Sequence, residues 1–254
     1  MKKALFLSLA TLTLALTSCE EVIKSISESI VFTFTGSTVY DGQTAALRVP
    51  SNSNIGWEVA SDSKPYVSLT YSANGQDCEA NFMLPDHSKE EVVTLTITTR
   101  DLDNSEKEPY VGDIKLAPWR LAAYKKNGKN WDRVGTTLDF SDNGAGTYKA
   151  QMECFDGKVW KELSSVAYSL SLKNGVHNIL WKTTASASDA KPLGDKTITF
   201  STSTSVEFEL SKAPSKSFVI CAYLGKDRDE EGNTLDPAKV NTGGMVMQGI
   251  AVQP

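Results

Sequence analysis

Apolar and polar residues alternate along most of this chain with a period of two. In Val92-Val93-Thr94-Leu95-Thr96-Ile97-Thr98, the side chains of Val93, Leu95 and Ile97 fall on one side and the threonines on the other. That is the pattern of a strand with one face against a core. Comparable runs occupy residues 30–35, 45–49, 57–60, 66–71, 80–84 and 111–116. A second series covers 119–125, 134–140, 147–154, 166–172, 178–184, 196–200, 206–210, 217–224 and 245–252. Turn formers punctuate them: Asp41-Gly42, Asn74-Gly75, Asn127-Gly128, Asp142-Asn143-Gly144, Asp156-Gly157 and Asn174-Gly175. Short strands at such spacing predict an all-β protein built from sandwiches or barrels. Pro118 cannot donate to a ladder and restricts Ala117, so it marks a boundary between a domain at 30–116 and another at 117–254.

The N-terminus follows a different pattern. Lys2 and Lys3 precede an apolar stretch over residues 4–16. This reads as a secretory leader, too short to span a bilayer. It closes on Leu16-Thr17-Ser18-Cys19, which resembles the bacterial lipobox. The resemblance implies that residues 1–18 are removed and that Cys19 becomes a lipidated first residue, with 19–29 as a tether. Several acyl chains hold a protein to a membrane stably, since each buried methylene contributes about 0.8 kcal/mol. Glu20-Glu21 resembles the surface-export signal of Bacteroidetes lipoproteins, implying an outer-membrane, outward-facing location.

Leu47-Arg48-Val49-Pro50-Ser51-Asn52-Ser53-Asn54-Ile55-Gly56-Trp57-Glu58-Val59 resembles the start of a BACON-type domain. Membership would imply an immunoglobulin-like β-sandwich over the first domain, with Trp57 in its core. In the second domain, Trp119-Arg120-Leu121 and the run from Leu138 to Tyr148 resemble the opening of bacterial lipocalin-like lipoproteins. The segment from Tyr168 to His177 resembles an Ig-like module instead. Closely spaced hairpins favour an up-and-down antiparallel topology, and barrel and sandwich both remain open for this domain.

Composition narrows the function. Hydrophobic residues make up 40% and charged residues 22%, a globular balance. The net charge is −5, and loss of Lys2 and Lys3 with the leader makes the mature chain more acidic still. Nucleic acid is therefore not an expected partner. There is no phosphate-cradling glycine loop, CxxC pair, nucleophile elbow or HExxH helix. His87 and His177 lack a neighbouring nucleophile, so no catalytic residue is assigned and no enzyme is expected. Besides Cys19, three cysteines remain. Cys78, Cys154 and Cys221 read as buried thiols, with a Cys154–Cys221 bridge as the alternative. The expected cofactor is none, with calcium a secondary possibility. Asp227, Asp229 and Glu231 alternate before Gly232 like the first half of a calcium loop, but a solvated acidic turn is the favoured reading.

Trp131 sits in the polar run Asn127-Gly128-Lys129-Asn130-Trp131-Asp132, read as a loop. An exposed indole there can stack on the apolar face of a sugar while Asn130 and Asp132 bond its hydroxyls. The alternative places Trp131 as a cap on the second core. Trp160 and Trp181, in strands, read as core. The function expected is non-catalytic: glycan binding or adhesion at the cell surface. A lipocalin-like carrier of a small apolar ligand and a structural spacer or assembly subunit are the alternatives. The membrane is a partner through the lipid.

Overall fold

A computed structural model describes residues 37–47, 55–73, 75, 77–101, 111–171, 179–184, 199–226, 229, 231 and 233–254. Cys19, the leader and the predicted strand at 30–35 lie outside the described residues. The chain is all-β, as the alternation predicts. Among the described residues no helix is long and apolar enough to cross a membrane.

The first unit contains β1 (Ser37–Tyr40), β2 (Thr44–Leu47), β3 (Ile55–Val59), β4 (Val67–Tyr71), β5 (Cys78–Phe82), β6 (Val93–Asp101) and β7 (Val111–Ala117). One sheet has the order β1-β7-β6-β3 and the other β2-β5-β4. β1 runs parallel to β7, with Ser37 opposite Ile114 and Tyr40 opposite Ala117. The other pairings are antiparallel. The first strand thus pairs with the last, and the second strand crosses to the facing sheet. That is the Greek-key order of an immunoglobulin-like sandwich. Inward residues of both sheets meet in one core: Leu47, Ala80 and Phe82 from one, Trp57, Leu95, Ile97, Ile114 and Leu116 from the other.

The second unit contains β8 (Trp119–Asn127), β9 (Asn130–Gly135), β10 (Thr137–Asp139), β11 (Gly146–Phe155), β12 (Trp160–Glu162), β13 (Ile179–Thr183), β14 (Thr199–Ser201), β15 (Ser205–Leu210), β16 (Phe218–Leu224) and β17 (Val246–Gln253). One sheet is ordered β10-β17-β16-β13-β14; the other is β12-β11-β8-β9, with β15 also on β11. Here too an early strand, β10, lies parallel to the last, β17. The two units therefore share a parallel pairing of an early strand with the last, although their sequences show no repeat. Among the described residues neither sheet closes on itself, so the unit is an open sandwich, not an up-and-down barrel. Strand spacing alone misleads here, because a strand that crosses to the other sheet is spaced like one that pairs with its neighbour.

Two segments depart from the period-two reading. The alternation predicts a strand over 166–172, but Ser165–Ser171 is helical. Ser164 caps it: its hydroxyl accepts from the Ala167 N–H at 3.1 Å. Tyr168 turns fully inward while Val166 is 69% exposed, so the apparent alternation does not define a buried face. The run 134–140 is likewise broken. β9 ends at Gly135, β10 is short, and Phe140–Asn143 makes a helical turn capped by Asp139, whose Oδ1 accepts from the Ser141 N–H at 2.9 Å.

A single residue, Pro118, separates β7 from β8. The joint is packed: Tyr40, Ala117 and Trp119 belong to the core of the second unit. The Trp119 indole donates to the Asp41 carbonyl at 2.8 Å, and the Asp41 N–H donates to the Ala117 carbonyl at 3.0 Å. The Tyr40 ring stacks on Tyr168 at 6.4 Å. Gly42 turns the chain here at φ +87°, and a Cβ on it would lie 2.9 Å from the Leu224 carbonyl oxygen and 2.8 Å from Val246 Cβ. Gly42→Ala should cost about 2–4 kcal/mol, combining a left-handed backbone with overpacking against a carbonyl. A urea melt of that variant measures it directly.

Candidate functional site

The outer face of the sheet β12-β11-β8-β9 carries a set of cations and aromatics that strand register brings together. In β11, Tyr148, Ala150 and Met152 enter the core, leaving Lys149, Gln151 and Glu153 on the other face. Register sets Glu153 opposite Arg120, Lys149 opposite Tyr124, Tyr124 opposite Arg133 and Lys126 opposite Trp131.

Glu153 organises one end. It is only 1% exposed, yet its carboxylate is fully partnered. Arg120 Nε lies 2.8 Å from one oxygen; Arg133 reaches the two oxygens at 2.6 and 3.1 Å; the Tyr124 hydroxyl donates at 2.8 Å. Burial by itself would raise the Glu153 pKa, but the bonds from Arg133, Arg120 and Tyr124 together hold it below the usual carboxylate range. Burial, then the bond to Glu153, pushes the Tyr124 phenol well above its ordinary value. The Arg120 guanidinium also sits 4.0 Å over the Trp160 ring. Trp160 is therefore not the core residue its strand position suggested; it is half-buried on this face. Its indole donates to Glu90 of the first unit at 2.6 Å, adding a second link across the joint.

Trp131 lies at the other end. It is in β9 rather than in a loop, and it is half-buried, outside the core of the second unit. The Lys149 and Lys126 ammonium groups lie 5.3 and 5.6 Å from its ring centre. Lys149 is nearly buried, 3.0 Å from Glu162 and 4.7 Å from the Tyr124 ring centre. Asp132 accepts from the Asn127 amide at 2.8 Å across the hairpin. Asp132, Asn127, Lys126 and Arg133 line a cleft of about 480 Å³ together with Lys125, Val134 and Asn143; Trp131 is not part of its lining. Asn130 closes the hairpin opposite Asn127 and is exposed, outside the cleft lining. The structure thus places Trp131 and Asp132 on opposite faces of β9 and leaves Asn130 at the hairpin end. Sequence reasoning missed Lys126, Lys149, Tyr124 and the Glu153 cluster. The alternation through Arg120, Tyr124 and Lys126 was the available signal.

The remaining candidates are placed as follows. Asp227 lies outside the described residues. Asp229 bonds Asn233 with both carboxylate oxygens, at 2.7 and 3.1 Å, in an acidic turn that includes Glu231. Among the described residues no group of three metal-ligating side chains occurs. Cys78, Cys154 and Cys221 are free thiols, and burial pushes Cys78 up to about 12. His177 lies outside the described residues. His87 faces the buried Asp41 carboxylate at 2.5 Å. Burial raises the Asp41 pKa, opposed by the Leu84 N–H and by His87.

No known protein family matches the chain, and no curated protein does. Among solved structures it is similar to the D00-D0 domain of Intimin, with a TM-score of 0.26 and 12% identity, covering 87% of this chain and 96% of that one. The fold assignment rests on the strand order and register described above.

Proposed function

We propose that this chain is an exported lipoprotein, anchored through Cys19 to the outward face of the outer membrane, and that its second unit binds saccharide without catalysis. One observation carries the binding reading: Trp131 stands half-buried on β9, outside the core, with the ammonium groups of Lys126 and Lys149 at 5.6 and 5.3 Å from its ring centre. An indole offers a flat apolar surface to a pyranose ring, and polar groups at its margin bond the hydroxyls. The carrier alternative is disfavoured by the interior of this unit, where Trp119, Tyr148, Tyr168, Trp181 and Phe208 are buried in one core. The first unit, locked at the joint, serves as the spacer that presents the second.

A glycan array probed with the full chain tests the reading. Trp131→Ala should weaken the strongest glycan signal by roughly 1–3 kcal/mol. It should shift stability by less than about 1 kcal/mol, because the ring lies outside the core. A large loss of stability with no specific change in affinity would remove Trp131 from the site.

A further inference from the structure

Resting on the saccharide reading, the geometry points to an acidic glycan, one bearing carboxylates on its pyranose rings, as the ligand of the Trp131 face. The whole chain is acidic, with a net charge of −5. On the face of Trp131 the cations Lys126, Lys149 and Arg133 outnumber the carboxylates Glu153 and Glu162, while Lys125 lies on the opposite face of the sheet. Lys149 reaches the ring from β11, across the intervening β8.

These cations are not equivalent. Arg133 is committed to Glu153, and Lys149 to Glu162. Lys125 donates to the Asn143 carbonyl. Lys126 is exposed, and among the described residues it forms no ion pair; its ammonium group meets only the Trp131 ring. Lys126 is therefore the charge available to a ligand, and it lies directly across the ladder from the stacking ring. A sugar stacked on Trp131 would hold its ring carboxylate within reach of the Lys126 ammonium. A neutral sugar could use the indole but would leave that cation unmatched. Lys149, paired with Glu162, places a second ammonium group at the same ring.

The test uses matched ligands. Oligogalacturonate, alginate and hyaluronan fragments are each titrated into the full chain alongside their carboxyl-reduced forms, which keep the rings and lose the charge. The expected result is that at least one acid binds roughly tenfold more tightly than its reduced form. Raising the ionic strength should narrow that gap. Lys126→Gln should remove most of the gap with the melting temperature unchanged, and Trp131→Ala should weaken acid and reduced form together. Equal affinity for acid and reduced form would overturn the charge assignment while leaving the saccharide reading intact. A gap insensitive to Lys126→Gln would overturn the assignment of the charge to this face. Acid binding unaffected by Trp131→Ala would overturn both, whereas failure of every acid to bind would overturn the acidic-glycan assignment and leave the saccharide reading to the array.

Discussion

Trp119→Ala should destabilise the protein by about 3–5 kcal/mol, the range for truncating a large buried aromatic. The indole is 1% exposed, packs in the core of the second unit and donates to the Asp41 carbonyl at 2.8 Å. Truncation opens a cavity and also leaves a buried carbonyl without its donor, so the cost should fall at the upper end of the range. Trp119→Phe separates the two contributions. It keeps much of the packing but loses the donor, and should cost about 1–2 kcal/mol from the orphaned carbonyl plus a smaller packing loss. Urea denaturation of both variants measures this, with limited proteolysis near Pro118 as a local readout. A loss below about 1 kcal/mol for the alanine variant would mean that the joint relaxes around the gap and is softer than its hydrogen bonds suggest.

The second large effect concerns Glu153. Glu153→Gln keeps the shape but removes the charge facing Arg120, Arg133 and Tyr124. Breaking a fully buried ion pair costs about 3–5 kcal/mol. Here the arginine side chains are 27% and 41% exposed and regain water, so about 2–3 kcal/mol is expected at neutral pH. The pH dependence carries the sharper signature. A carboxyl whose folded pKa is depressed stabilises the fold above its unfolded value, about 4.3 for Glu. That contribution is lost as pH falls through the depressed folded value. The gap between wild type and Glu153→Gln should therefore narrow as the pH is lowered from about 7 to about 3. Asp41 acts in the opposite sense. Its pKa is raised by burial, so its contribution favours folding at low pH and fades as pH rises through the raised value. A gap that stayed constant over this pH range would show that Glu153 acts through packing and not through its charge.

Much of this architecture is legible in local pattern. Val93, Leu95 and Ile97 alternate because one face of β6 is buried, and Leu95 and Ile97 do lie in the first core. The helix Ser165–Ser171 was obscured because Val166, Tyr168 and Leu170 mimic a strand; the cap at Ser164 was the better guide. The parallel pairs β1–β7 and β10–β17 join residues far apart in sequence, so no local signal announces them. The same holds for the site. Trp131 stood out as an aromatic in a polar run. Glu153, with its two arginines, depends on the register of three strands, and the burial of a charge cannot be read from its neighbours in sequence.

The parallel pairing of β1 with β7 bears on how the molecule carries load. A chain tethered ahead of β1 and pulled through its second unit is drawn at the start of β1 and at the end of β7. In parallel strands those two ends lie at opposite extremes of the ladder. Tension then slides the strands along each other, and all their hydrogen bonds resist at once instead of opening one by one. Because Trp119 and Gly42 pack the joint beyond β7 into the second core, the pull passes on without a slack linker to absorb it. A pull entering at the start of β1 and leaving through the second unit therefore meets this ladder in its most resistant direction.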